Sequence, residues 1–189
     1  MCAAEPPREV LATDADVLMN LVATGRFDAV LAALRVTALV APRIESEALY
    51  LEPDSEDGIP MRIDLAPFVA SETVARAVLR AEEIALYVDL AREVDDGEAQ
   101  AIALACAREL RVASDDRRAG RAAARRGVRV VTTPELLSAW ETLGRQDPDQ
   151  VGECLRAIER RARYRPGRNH PLRSWWEERA DRAAPSGGE

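Results

Sequence analysis

The sequence specifies an α/β fold built on an open, mainly parallel sheet. Three observations carry this expectation. Short apolar runs bounded by Asp, Pro or Gly alternate with longer segments whose apolar residues recur at helical spacing. Strands separated by helices pair in parallel, because a parallel connection needs a crossover, and such sheets are covered on both faces. Hydrophobic residues make up 47% of the 189 positions but aromatics only 4%, so the core is sizeable and aliphatic.

The elements follow in order. Glu9–Thr13 (E-V-L-A-T) is a short apolar run ending at Asp14, as a buried strand would. Asp16 is suited to cap the next helix, which carries Val17, Leu18, Leu21 and Val22 and stops at Gly25. Phe27, Val30, Leu31 and Leu34 repeat at i, i+3, i+4, i+7 and define a second amphipathic helix. Val36–Val40 (V-T-A-L-V) is a second strand, ended by Pro42. Residues 44–51 read as a helix bearing Glu45 and Glu47, and residues 52–60, polar with Gly and Pro, as a loop. Alternating apolar positions over 61–69 suggest an edge hairpin. Residues 72–94 hold Val74, Val78, Ala81, Ala85 and Val88 on one stripe and read as one long helix. Asp95 and Asp96 start another, running to about Leu110. Residues 111–114 form a strand, 116–126 a helix and 128–131 a strand. Thr133, Pro134 and Glu135 mark a helix start, and that helix ends at Gly144. A further helix covers 149–164, ahead of a basic, then mixed, tail. The chain thus divides into a domain over residues 1–144 and an Arg-rich helical extension over 145–189.

Charge and composition narrow the function classes. No apolar run approaches the roughly 20 residues of a membrane-spanning helix. The first five residues lack a basic region and an apolar signal core, so the expected location is the cytoplasm. Cys2, Cys106 and Cys154 are widely spaced, form no metal-ligand pattern and are expected as reduced thiols. A net charge of −7 argues against a surface generally coated for nucleic acid. All 26 basic residues are Arg, and seven lie between Arg156 and Arg173 with one carboxylate, Glu159, a local +6 that leaves −13 elsewhere. That asymmetry suggests an arm that contacts a polyanion.

Acidic residues collect where an open parallel sheet binds ligands, beyond the carboxyl ends of its strands. Asp14 directly follows the first strand, and Asp115 and Asp116 follow the strand at 111–114. Glu98 sits in the first turn of its helix with Ile102 and Ala105 on the same face, so it should project toward the sheet edge. Glu47, after the second strand, can reach the same edge. Any one of these acids is more often a helix cap than a ligand, and Asp16 with one of Asp115 and Asp116 is expected to cap; Glu45 and Glu47 alone read as a solvated helix face. Their joint placement is what caps do not require. Converging carboxylates repel one another, and a hard divalent cation removes that penalty; an all-oxygen set selects magnesium or manganese over zinc. Such an ion can activate water against a phosphodiester without a catalytic His, and the one His, His170, lies in the tail.

The run L-A-T-D-A-D-V-L-M-N-L, then V-A-P-R-I-E-S-E-A-L, D-D-G-E-A-Q-A-I-A-L-A, R-V-A-S-D-D-R-R-A-G-R-A-A and V-R-V-V-T-T-P-E-L-L resembles the PIN domain in order and spacing, especially its VapC-like branch. The resemblance implies a three-layer α/β/α sandwich with a central, mainly parallel four- to five-stranded sheet, here over residues 1–144. It implies a Mg2+- or Mn2+-dependent endoribonuclease with an RNA substrate, often the toxin of a toxin–antitoxin pair with an antitoxin protein as partner. Carried over by position, the family acids fall on Asp14, Glu47, Glu98 and Asp116, with Asp115 a close alternative to the last. Two departures stand out: Ala15 occupies a position where a hydroxyl is usual, and the tail is longer than a minimal PIN toxin needs.

Two rivals come from other classes. Asp14-Ala15-Asp16-Val17 also fits the motif of haloacid-dehalogenase-type phosphatases, with Asp14 as nucleophile and Asp16 as general acid. That chemistry normally uses a Lys, and the chain has none. The other rival is a non-catalytic PIN-like interaction module. In the tail, Arg160, Arg161, Arg163, Arg165 and Arg168 surround Tyr164, with Trp175 and Trp176 following, a combination that suits RNA phosphates and bases. The alternatives are a C-terminal helix whose two Trp dock on the domain, or a Trp pair making a homodimer or antitoxin contact.

Overall fold

A computed structural model describes residues 8–47, 49–55 and 57–182; Cys2 and the first five residues lie outside them. The central sheet has five parallel strands: β1 (Glu9–Thr13), β2 (Val36–Val40), β5 (Val74–Arg76), β6 (Arg111–Ala113) and β7 (Val130–Val131), in the order β5-β2-β1-β6-β7. β1 lies at the centre, pairing Thr13 with Val40 on one side and with Ala113 on the other. The chain builds outward from β1 through β2 to β5, then crosses back to build β6 and β7 on the other side. The switch point is therefore between β1 and β6, where a crevice opens beyond the strand ends.

Helices cover both faces, giving three layers. α6 (Asp96–Ala107) lies across β1 and β6 and packs with α5 (Ala81–Leu90) and α7 (Arg117–Arg125). α1 (Ala15–Ala23), α2 (Phe27–Leu34) and α8 (Thr133–Leu143) form the opposite group. The core is aliphatic: Leu11, Leu18, Leu31, Ile102, Leu104 and Leu137 are fully buried. α6 is buried nearly all round, and its run of Ala lets it sit close to the sheet. α1 ends before Gly25, whose φ of +68° a side chain would resist.

Three readings of the sequence are corrected. Residues 44–51 are not one helix: α3 (Pro42–Ser46) is five residues long, started by Pro42, and Glu47 turns to extended backbone before β3 (Tyr50–Leu51). β3 pairs antiparallel with β4 (Met61–Arg62), and α4 (Ala66–Ala70) follows, so the expected hairpin pairs outside its own segment. Residues 72–94 split into β5 and α5, because a short edge strand shares the apolar stripe that suggested one helix.

The extension docks on the domain. α9 (Pro148–Arg161) buries Val151, Leu155 and Ile158 and packs against α1, while α10 (Arg173–Arg182) packs on α9. Trp176 is fully buried and its Nε1 donates to Glu159 (2.7 Å). Trp175 donates to Glu141 (2.7 Å), which also takes Arg179 (2.6 Å). The Trp pair is thus used in docking. Cys106 and Cys154 are free thiols, and no single helix among the described residues is long and apolar enough to cross a membrane.

Candidate active site at the sheet switch point

Strand ends and helix starts meet at the switch point. Asp14 leaves β1 with its amide N–H bonded to the Ala113 carbonyl (3.1 Å), then caps α1 as its Oδ1 accepts from Val17 N (2.9 Å). The residue is 3% exposed. Burial pushes it up to about 8, against hydrogen bonds from Ser114 and Val17, and Asp115 and Asp16 add repulsion. The cap of α1 is therefore Asp14, not Asp16. Asp16, one step into the helix, faces the cleft: desolvation pushes its carboxyl up, and Asp116 and Asp95 push it further.

Glu98 enters from the other side. As third residue of α6 it closes a capping box, accepting from Asp95 N (3.2 Å). Desolvation first, then Asp116, Asp95 and Asp16, push it up to about 7, and it lines the cleft, on the side its helical position required. Asp116 caps α7 through Oδ1, accepting from Arg118 N (2.5 Å) and Ala119 N (2.8 Å); it remains exposed, and its charge is felt by Asp16 and Glu98. Asp14, Asp16, Glu47, Asp95, Asp96 and Glu98 line one open cleft of about 460 Å³.

Glu47 stands at the rim. It ends α3, pairs with Arg43 (3.2 Å), and reaches toward Gly97, where an added Cβ would lie 3.7 Å from its Oε1. Gln100 fixes the start of α3 by accepting from Arg43 N (3.0 Å).

Asp115 is held differently from its neighbour. Oδ1 accepts from Thr133 N (2.8 Å) and Tyr164 OH (3.0 Å). Oδ2 accepts from Thr133 Oγ1 (2.5 Å) and Asn20 Nδ2 (2.9 Å). Four donors occupy a carboxylate with about four acceptor sites, so Asp115 ties α1, α7, α8 and the extension together behind the cleft. Between the two adjacent acids, Asp116 is the one with open valence. Asn20, Ser114, Thr133 and Tyr164 give this support with no sequence pattern to mark it beyond a polar Asn on the apolar face of α1.

The donor chemistry fits a hard divalent cation. Every group is an oxygen ligand, and two of the carboxyls are pushed up to about 7 and about 8 by burial and mutual repulsion that a cation relieves. Among the described residues no three His, Cys, Asp or Glu side chains stand close enough together to enclose one ion, so this is a lined cleft and not a closed cage. Magnesium needs no more than that, since it keeps several waters and takes one or two carboxylates plus substrate phosphate oxygens.

An open parallel α/β sheet with an acidic cleft at its switch point defines a class: proteins that bind ligands beyond the carboxyl ends of their strands. The comparison with protein families is specific. A family profile described as a PIN domain matches residues 10–169, and the chain belongs to the PIN-domain family. Neither curated proteins nor solved structures returned a match. PIN domains are generally nucleases that act on nucleic acid and typically use divalent metal ions. Membership removes the basis for the phosphatase reading of Asp14 and Asp16.

Proposed function

We propose that the protein is a Mg2+- or Mn2+-dependent endoribonuclease that hydrolyses RNA phosphodiesters in the cytoplasm. The observation that supports it most is the crowding of Asp14, Asp16, Glu98 and Asp116 around one cleft, with Asp14 and Glu98 holding protons near neutral pH. Carboxylates are gathered this way at a cost in repulsion that the fold does not need. Asp14, Glu98 and Asp116 would hold the cation, and Glu47 would orient water or substrate at the rim. When bound, the cation supplies an activated water and neutralises charge building on the phosphate. Asp115 acts through its neighbours: held by four donors, it fixes the turn that presents Asp116. A role as the toxin of a toxin–antitoxin pair, with an antitoxin protein or a second copy as partner, belongs to the same reading.

Of the five extension arginines expected to touch RNA, Arg160 pairs with Asp54 (3.5 Å), Arg163 with Glu52 (3.1 Å) and Arg165 with Glu159 (2.6 Å). Arg161 donates to the Ala23 carbonyl (3.2 Å), while Arg168 is exposed. These bonds support a docking role for most of them.

The test is cleavage of RNA by the purified protein with Mg2+ or Mn2+, repeated with Asp14→Asn. Cleavage that needs the metal and is lost in the variant is expected. Robust cleavage in the variant would remove the cleft from the chemistry, and absence of both cleavage and metal binding would favour a non-catalytic interaction module.

A further inference from the structure

RNA has to be held beside carboxylates that repel it, and α7 starts at Asp116 with Arg117, Arg118 and Arg121 on its outer side. All three are exposed, and none has an ion pair among the described residues. At the far end of the same helix the picture reverses: Arg125 pairs with Glu93, and Arg126 just beyond pairs with Asp89 (2.9 Å) and Glu93 (3.1 Å). Along α7 the fold pairs the arginines that have acids beside them and leaves the three of its first turns open, while Arg43, which lines the cleft, is held by Glu47.

Their placement works against the helix. Cations in a first turn oppose the helix dipole, and like charges at i, i+3 and i, i+4 repel. The buried side of α7 (Ala119, Ala122, Ala123) needs no arginine opposite it. A second observation concerns Gly120, four residues after Asp116 and so one turn above it on the same side. Glycine weakens a helix interior, and a Cβ there would meet nothing within 4 Å, so no neighbour in the chain requires the space. A bare backbone beside three free guanidiniums admits a close approach from outside.

We propose that the exposed side of α7, Arg117, Arg118 and Arg121 around Gly120, binds the phosphate backbone of single-stranded RNA and leads it into the acidic cleft. This rests on the nuclease reading and names the surface that holds its substrate. Guanidiniums match phosphate oxygens in a bidentate fork, and arginine is always charged.

The test measures binding of labelled, unstructured oligouridylate in Mg2+ by the full chain carrying Asp14→Asn, so that the RNA stays intact. Adding Arg117→Gln, Arg118→Gln and Arg121→Gln should weaken binding on the order of tenfold or more, and should flatten the slope of log affinity against log salt by about 2, three contacts at roughly 0.7 each. The melting temperature should not fall, because Gln is a good helix former and repulsion is removed. An Arg163→Gln/Arg168→Gln variant should bind like the parent. Unchanged affinity and slope in the α7 variant, or a loss confined to the Arg163/Arg168 variant, overturns the assignment while leaving the nuclease reading intact. A parent that binds no RNA overturns both.

Discussion

Asp14 is a buried carboxyl that keeps its proton where the unfolded chain has lost it. Its folded value of about 8 lies far above its ordinary value of 3.8, and Glu98, at about 7, shares the trend. The folded state therefore binds more protons between those values. The stabilisation this gives is full below about pH 4 and is lost as pH rises through 7 and 8. The metal-free protein should lose melting temperature across that window. Asp14→Asn keeps the Val17 N–H acceptor and removes the titration, so at pH 8 it should be more stable than the parent by about 2–5 kcal/mol. Thermal melts of both proteins at pH 5 and pH 8 check this, and a parallel decline in the two would contradict it. Asp115, whose carboxyl burial also pushes up, differs in what its removal does. Asp115→Ala strands four inward-facing donors, each costing about 1–3 kcal/mol if unmet, and with partial relaxation should cost about 3 kcal/mol in urea unfolding. Asp14, Glu98 and Asp116 were legible because strand ends and first helical turns mark them. The Asp115 support was not, since its donors come from 95, 18 and 49 residues away. Asp16 reads as a cap from sequence because either acid of D-A-D can fill that role, and geometry gives it to the one that precedes the helix.

At the scale of elements, the alternation of strand and helix carried most of the fold. β1, β2, α1 and α2 stand where their periodicities put them, and α6, β6 and α7 match to within about three residues. β5 escaped because three residues at a sheet edge, Val74–Arg76, are too few to interrupt a helical stripe that α5 resumes at Ala81. Val78 and Val88 on that stripe prove to be exposed, so the stripe does not mark burial. The start of α8 shows how close caps can lie. Thr132, not Thr133, caps the helix in a box with Glu135, whose Oε2 accepts from Thr132 N (2.8 Å). This frees Thr133 to donate to Asp115. Thr132→Ala should cost about 1 kcal/mol, as cap loss does, and leave RNA cleavage unchanged. Thr133→Ala removes a donor behind the cleft and should lower cleavage as well as stability. Equal activity in the two variants would separate the Asp115 network from the site.

The whole molecule joins an acidic cleft to an arginine-rich surface on a chain of net charge −7. The extension is part of its cohesion: Leu155, Ile158 and Trp176 are fully buried, and Tyr164 reaches Asp115 behind the cleft. Removing everything after Gly144 should uncover the α1 face beneath α9 and broaden or abolish cooperative unfolding by circular dichroism; a truncated chain that melts as sharply as the parent would contradict the docking described. The site itself is tested most directly by anomalous diffraction from a crystal soaked in Mn2+. The account predicts a manganese peak in the cleft between Asp14, Glu98 and Asp116, absent in Asp14→Asn crystals. A peak elsewhere, or one in the cleft that survives Asp14→Asn, would contradict it.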